Sequence, residues 1–272
     1  RAFTITELER RSAATWGEAV SCFLSAHVDY EGLTGIFSNQ DGETIEVPFS
    51  DAWGEEYNKK QYARAQALQR QIGGGERPSG CESVPEWDDP VTVMLTLTSS
   101  SKPDSERVPP VDHLDRIHNS WSYDGVRDAL RNTLEYHLDL DSDQWGYWLQ
   151  AEPHGLGEDP GMNACYTHVH VGVYLDFSPI SCSAHELGGE MERVIEKHLS
   201  VCDGATIAGH DYRSIEDYTD SGGCISVNTN VADLGCYLAA YMGGYTEDLL
   251  EKPIQYIAWG AIYWAAARRR TS

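Results

Sequence analysis

Residues 91–98, VTVMLTLT, set Val91, Val93, Leu95 and Leu97 on one side of an extended chain and Thr92, Met94, Thr96 and Thr98 on the other. That period of two predicts a strand with one face in the core. The same alternation recurs over 144–152, where Tyr147, Leu149 and Ala151 oppose Trp148, Gln150 and Glu152. It recurs again over 166–176, YTHVHVGVYLD, and more briefly over 224–229. Helical spacing covers 57–72, then 123–138 with Val126, Leu130, Leu134 and Leu138 in register, and then 184–199. A further helix is expected from Asn230, an N-cap with Asp233 behind it, to the stop at Gly243-Gly244, and an apolar one over 253–267. Residues 19–48 read as strand, and Pro109-Pro110 as part of a polar loop. From residue 86 onward the order strand, helix, strand, strand, helix, strand, helix predicts an α+β fold, a central antiparallel β-sheet with helices packed on it.

The pattern divides the chain into an accessory region at 1–85, a principal domain at 86–250 and a C-terminal helix at 251–272. The first residue is Arg rather than Met, which reads as a trimmed start, and the last helix reads as truncated. The longest uncharged apolar stretch, residues 253–267, is too short to cross a bilayer, and no secretory pattern precedes the first helix. A soluble cytoplasmic protein without a membrane partner is expected.

Charge changes the picture. There are 43 acidic and 20 basic residues, a formal net charge of -23, and only five of the basic residues are Lys. Acids spread along the whole chain with Lys suppressed suit a cytosol of molar salt. At about 1 M salt the Debye length is roughly 3 Å, so the net charge does not exclude a polyanionic partner such as DNA. The helix over 57–72 carries Lys59, Lys60, Arg64 and Arg70 and is the most basic segment, either a phosphate contact or a solvated face. Seven Cys without a CxxC pair read as reduced thiols that pack. Cys182, His185, His198 and Cys202 have zinc-like spacing, but one amphipathic helix between the two pairs would hold them apart.

The chemistry gathers on the strand at 166–176. Successive side chains of a strand alternate, so His168 and His170 share a face with Gly172 and Tyr174, while Val169, Val171, Val173 and Leu175 line the other. Two neutral imidazoles so placed can share a divalent ion if a third ligand, often a carboxylate, joins them. Glu152, at the end of the preceding strand and on its polar side, is the leading candidate, with His154 next. A cupin-like site would want Glu four residues on, where Tyr174 stands. Tyr237 and Tyr241, four apart on the helix expected over 230–243, share a face that could be a packing stripe or a pair of phenol nucleophiles.

MLTLT, HVHV and YLAAY, in that order, resemble the three motifs of the HUH endonucleases that initiate rolling-circle replication. The context "AEPHG…THVHVGVYLD" and "YIAWGAIYWAAARRR" resembles the Rep proteins of haloarchaeal plasmids and viruses, and the likeness spans about residues 88–270. It implies a ferredoxin-like or RRM-like catalytic core of the HUH/Rep type. It further implies a metal-dependent enzyme that nicks and rejoins single-stranded DNA at an origin, a hairpin or nick site, with host replication proteins as further partners. His168 and His170 would hold Mn²⁺ or Mg²⁺, with Glu152 completing the ligand set. Tyr237 would attack the scissile phosphate and stay joined to the 5' end, and Tyr241 would serve strand transfer. Thr96 and Thr98 would line the site or touch DNA. The family often places Lys three residues after the Tyr, whereas Ala240 and Gly244 stand here. A single-strand transposase shares this chemistry. A silent origin-binding protein and an unrelated metal-binding α+β domain are the alternatives from other classes.

Overall fold

Hydrogen bonds join four strands, β3 (Pro90–Leu97), β4 (Trp145–Pro153), β5 (Thr167–Asp176) and β6 (Ile225–Asn228), into one antiparallel sheet of order β4-β5-β3-β6. The computed structural model of the chain describes residues 16–72, 87–122, 124–154, 163–219, 223–229 and 249–271. Ahead of the sheet come helix α1 (Trp16–Glu31), a hairpin of β1 (Thr34–Ser38) and β2 (Thr44–Pro48), and helix α2 (Glu55–Ile72). Between β3 and β4 lie α3 (Pro110–Ser120) and α4 (Val126–Asn132), which widens into a π-helical turn at Thr133–His137. Helix α5 (Ala184–Val201) and the one-turn α6 (Ile207–His210) connect β5 to β6, and α7 (Ile254–Thr271) comes last. The sheet and its crossovers form a β-α-β-β-α-β unit with its first and third strands at the centre, the split βαβ of ferredoxin-like domains. The fold is α+β, as the alternation predicts.

The Val/Leu faces of the strands form the core. Val91, Val93, Leu95, Val171, Val173 and Val227 are all but fully buried against Leu130 and Leu134 and against Leu187, Met191, Val194 and Ile195 of α5. Those α5 residues recur at i, i+4, i+7 and i+8, which points them at one surface. A capping box starts the helix: Glu186 N–H donates to the Ser183 hydroxyl, and Ser183 N–H donates to the Glu186 carboxylate. Since α5 is one unbroken helix, the Cys182/His185 and His198/Cys202 pairs sit at its opposite ends.

Two expectations fail. Residues 19–31, read as strand, are helical: Val20, Phe23 and Leu24 lie on one side of the helix and pack against α7, with Phe23 buried beside Trp53 and Trp264. Only the hairpin at 34–48 is extended. Residues 110–120, read as loop, are α3, because Pro110 occupies the first helical turn, where no hydrogen-bonded N–H is required. The helix expected over 230–243 lies outside the described residues. Among the described residues no helix is long and apolar enough to cross a membrane.

Candidate metal centre

Strand register builds this site. Glu152 of β4 pairs with His168 of β5, Gln150 pairs with His170, and His170 pairs across its other side with Thr96 of β3. Directly opposed residues share a face with Cβ atoms about 5 Å apart, so the side chains meet above the sheet. His168 Nε2 and His170 Nε2 are 3.0 Å apart, and each lies 3.6 Å from Glu152 Oε2. Two imidazole nitrogens and one carboxylate oxygen thus converge as a group able to hold a metal ion. A facing pair of nitrogens and an oxygen with an open side is the donor set of a catalytic divalent ion.

Burial dominates the electrostatics of these side chains. Glu152 is 2% exposed, and burial pushes its carboxyl up to about 8. Burial likewise pushes His168, His170 and His154 down to about 4, the last two also through neighbouring imidazoles. His168, His170 and Glu152 are therefore all neutral at pH 7, with Glu152 carrying a proton. Among the described residues, Glu152 Oε1 and His168 Nδ1 are buried and find no hydrogen-bond partner. The carboxyl of Glu152 would ionise beside a divalent cation, and its buried oxygen would gain an electrostatic partner. The residues present therefore fit such an ion.

The surrounding residues orient these imidazoles. Thr96 Oγ1 is 3.0 Å from His170 Nδ1, so when Nε2 presents its lone pair, Nδ1–H donates to this hydroxyl. Thr98 turns its hydroxyl toward His154 Nε2 at 3.4 Å, and the His154 ring lies 4.4 Å from that of His168. The backbone of Thr98 and Ser99 is gripped by three more buried histidines. His198 Nε2 donates to the Thr98 carbonyl, His210 Nε2 accepts from Thr98 N–H, and His113 Nε2 donates to the Ser99 carbonyl. Tyr256 of α7 is buried close enough to Glu152 that, after burial itself, the carboxylate's charge helps push the phenol up to about 12.

Of the residues singled out in the sequence, His168, His170, Glu152 and Thr96 come together, and Thr98 and His154 stand at the margin. Lys59, Lys60 and Arg64 are exposed on α2, and Lys59 pairs with Glu55 at 2.6 Å. Tyr237 and Tyr241 lie outside the described residues. The sequence reading passed over His113, His210 and Tyr256, and it weighed His198 only for its zinc-like spacing with Cys202. The signal for His113 and His198 was their place in apolar helical stripes, Leu114 and Ile117 around one, Val194 and Ile195 before the other. A second group, His27, Glu31 and Asp51, also has metal-ligand spacing, but Glu31 is exposed and His27 Nδ1 already pairs with Asp51 at 2.9 Å.

Residues 3–271 match the family model described as "Putative rep protein (DUF1424)". The chain is 32% identical over 268 residues to the "Uncharacterized 36 kDa protein" of Halobacterium salinarum, an alignment that takes in 94% of this chain and 73% of that one. No solved structure gives a significant match. With a single family model running almost end to end and a relative aligned over nearly the same length, the chain belongs to the family described as "Putative rep protein".

Proposed function

We propose that the protein initiates rolling-circle replication by nicking and rejoining single-stranded DNA at an origin. The observation that carries this reading is the convergence of His168, His170 and Glu152 at the end of a β4-β5 hairpin, in a chain of the Rep family. His168, His170 and Glu152 would hold Mn²⁺ or Mg²⁺, which supplies a Lewis acid for an oxygen of the scissile phosphate. By accepting from His170 Nδ1–H, the Thr96 hydroxyl would favour the tautomer whose Nε2 carries the lone pair for the ion.

Tyr237 is the proposed nucleophile. Its phenol oxygen attacks phosphorus, the phenol proton leaves, and the 3'-oxygen departs as a hydroxyl, so the 5' end is held as a phosphotyrosine. A second 3'-hydroxyl reverses the step and reseals the strand, with Tyr241 available for strand transfer. Because one ester replaces another, no energy source is needed. A labelled origin oligonucleotide incubated with Mn²⁺ and run on a denaturing gel tests the reading. A nick with a protein-linked 5' product is expected, lost with Tyr237→Phe and with chelator. An adduct that survives Tyr237→Phe refutes the assignment, and absence of any nick refutes the activity. The absence of Lys at 240 and 244 favours one alternative, an origin-binding protein without cleavage, for which the same gel shows retention of intact DNA. A single-strand transposase is distinguished by joining to an unrelated target strand.

A further inference from the structure

Strand β4 is an edge of the sheet, and a cavity of about 240 Å³ opens along it, between the strand, the start of α2 and α7. Aromatic rings make its walls: Trp53 and Tyr57 on one side, Trp148 on the strand, and Tyr256, Trp259 and Tyr263 from α7. Three carboxamides, Asn58, Gln61 and Gln150, stand among them. In a chain with 43 acidic residues, none of the described residues lining it carries a charged side chain.

That combination selects its ligand. A phosphate or carboxylate would meet no cation among the described lining residues, and a sugar would offer the rings C–H edges but no π-face to stack. A flat heteroaromatic ring gains on both counts, since its faces stack on the aromatic walls and its edge matches carboxamides, each of which both donates and accepts. The walls are held for this: Trp53 makes edge contacts with Phe23, Tyr256, Trp259 and Tyr263, at centroid distances of 5.4 to 6.0 Å. The mouth is accessible, with Tyr57 37% and Tyr263 38% exposed.

Position ties the cavity to the metal centre. Gln150 shares a strand face with Glu152, two residues on, and is the direct cross-strand partner of His170. We infer that this cavity receives one unstacked nucleobase of the DNA strand, beside the phosphate presented to His168, His170 and Glu152. This inference rests on the proposed nicking function. It makes α2 and α7 the reader of the base and the strand hairpin the holder of the phosphate, one ligand spanning both.

Two strands of equal length test it, a thymidine oligonucleotide and its abasic counterpart, titrated against the full chain in molar KCl with Mn²⁺. The base-bearing strand is expected to bind about ten-fold tighter. Tyr57→Ala and Tyr263→Ala should each remove most of that preference, and Tyr57→Phe and Tyr263→Phe should restore it, while Mn²⁺ uptake stays at the wild-type level in all four. Equal binding of both strands, no binding of either, or alanine variants that weaken both strands alike would overturn the inference. Cleavage is scored separately on the origin strand. Base preference lost in the alanine variants without any wild-type nicking keeps the cavity's role and refutes the nicking reading. Nicking with base preference intact in the alanine variants does the reverse.

Discussion

Replacing Glu152 by Gln gives the sharpest test of the metal centre, because the structure predicts opposite effects with and without the ion. Burial raises the Glu152 carboxyl from its ordinary 4.5 to about 8. Between those values the folded protein keeps a proton that the unfolded chain has released, so stability falls as pH rises from 4.5 towards 8. At about 1.36 kcal/mol per pH unit, the penalty reaches up to about 3 kcal/mol by pH 7. A glutamine of the same shape cannot ionise in the unfolded state and escapes it. In chelator at pH 7, Glu152→Gln should therefore be the more stable protein, by up to about 3 kcal/mol, and the gap should close near pH 4.5. With Mn²⁺ at a hundred times its dissociation constant, the wild type should gain about 2.7 kcal/mol, and the variant far less, having lost the anionic ligand. Thermal unfolding in molar KCl, scanned over pH with EDTA and then with Mn²⁺, measures both effects. A variant less stable than wild type in EDTA at pH 7, or equally stabilised by Mn²⁺, refutes the reasoning.

Thr96→Val keeps the shape but removes the hydroxyl facing His170 Nδ1; Mn²⁺ affinity by calorimetry should drop about 10- to 100-fold with the fold unchanged. His113 and His198 are wholly buried, and burial holds both down to about 4. Their contribution is intact above the ordinary 6.5 and is lost as pH falls towards 4, by up to about 3 kcal/mol per ring, so the acid limb of a pH-melting curve should flatten in His198→Gln. A Cβ on Gly188 would run into the ring of Tyr218, whose hydroxyl donates to Glu192; Gly188→Ala should destabilise by about 1–3 kcal/mol in urea unfolding. Trp259→Phe loses the indole hydrogen bond to the Thr167 hydroxyl, at a cost of about 1 kcal/mol by the same measurement.

Local periodicity determined much of this protein. Alternation over 91–98 and 166–176 requires only neighbouring residues, and it was enough to set the valines inward, the two histidines on one outward face and the sheet antiparallel. Periodicity also found α2 and α5 to within two residues of their ends. It failed where packing outweighs local preference: α1 holds Val20, Phe23 and Val28, which suit a strand as well as a helix, and its contact with α7 decides between them. It failed at α3 because a proline pair marks a loop and a helix start alike. Glu152 shows where the division lies. Glu152 is one carboxylate among 43 acidic residues, and only the β4-β5 register, fixed by hydrogen bonds across a hairpin and by the buried valines beneath, sets it opposite His168. The cavity beside it needs rings from α2, β4 and α7, residues more than two hundred positions apart. Side-chain identity and period were written locally; convergence was not, because it depends on the paths of segments far apart in the chain, and tertiary structure alone settles those.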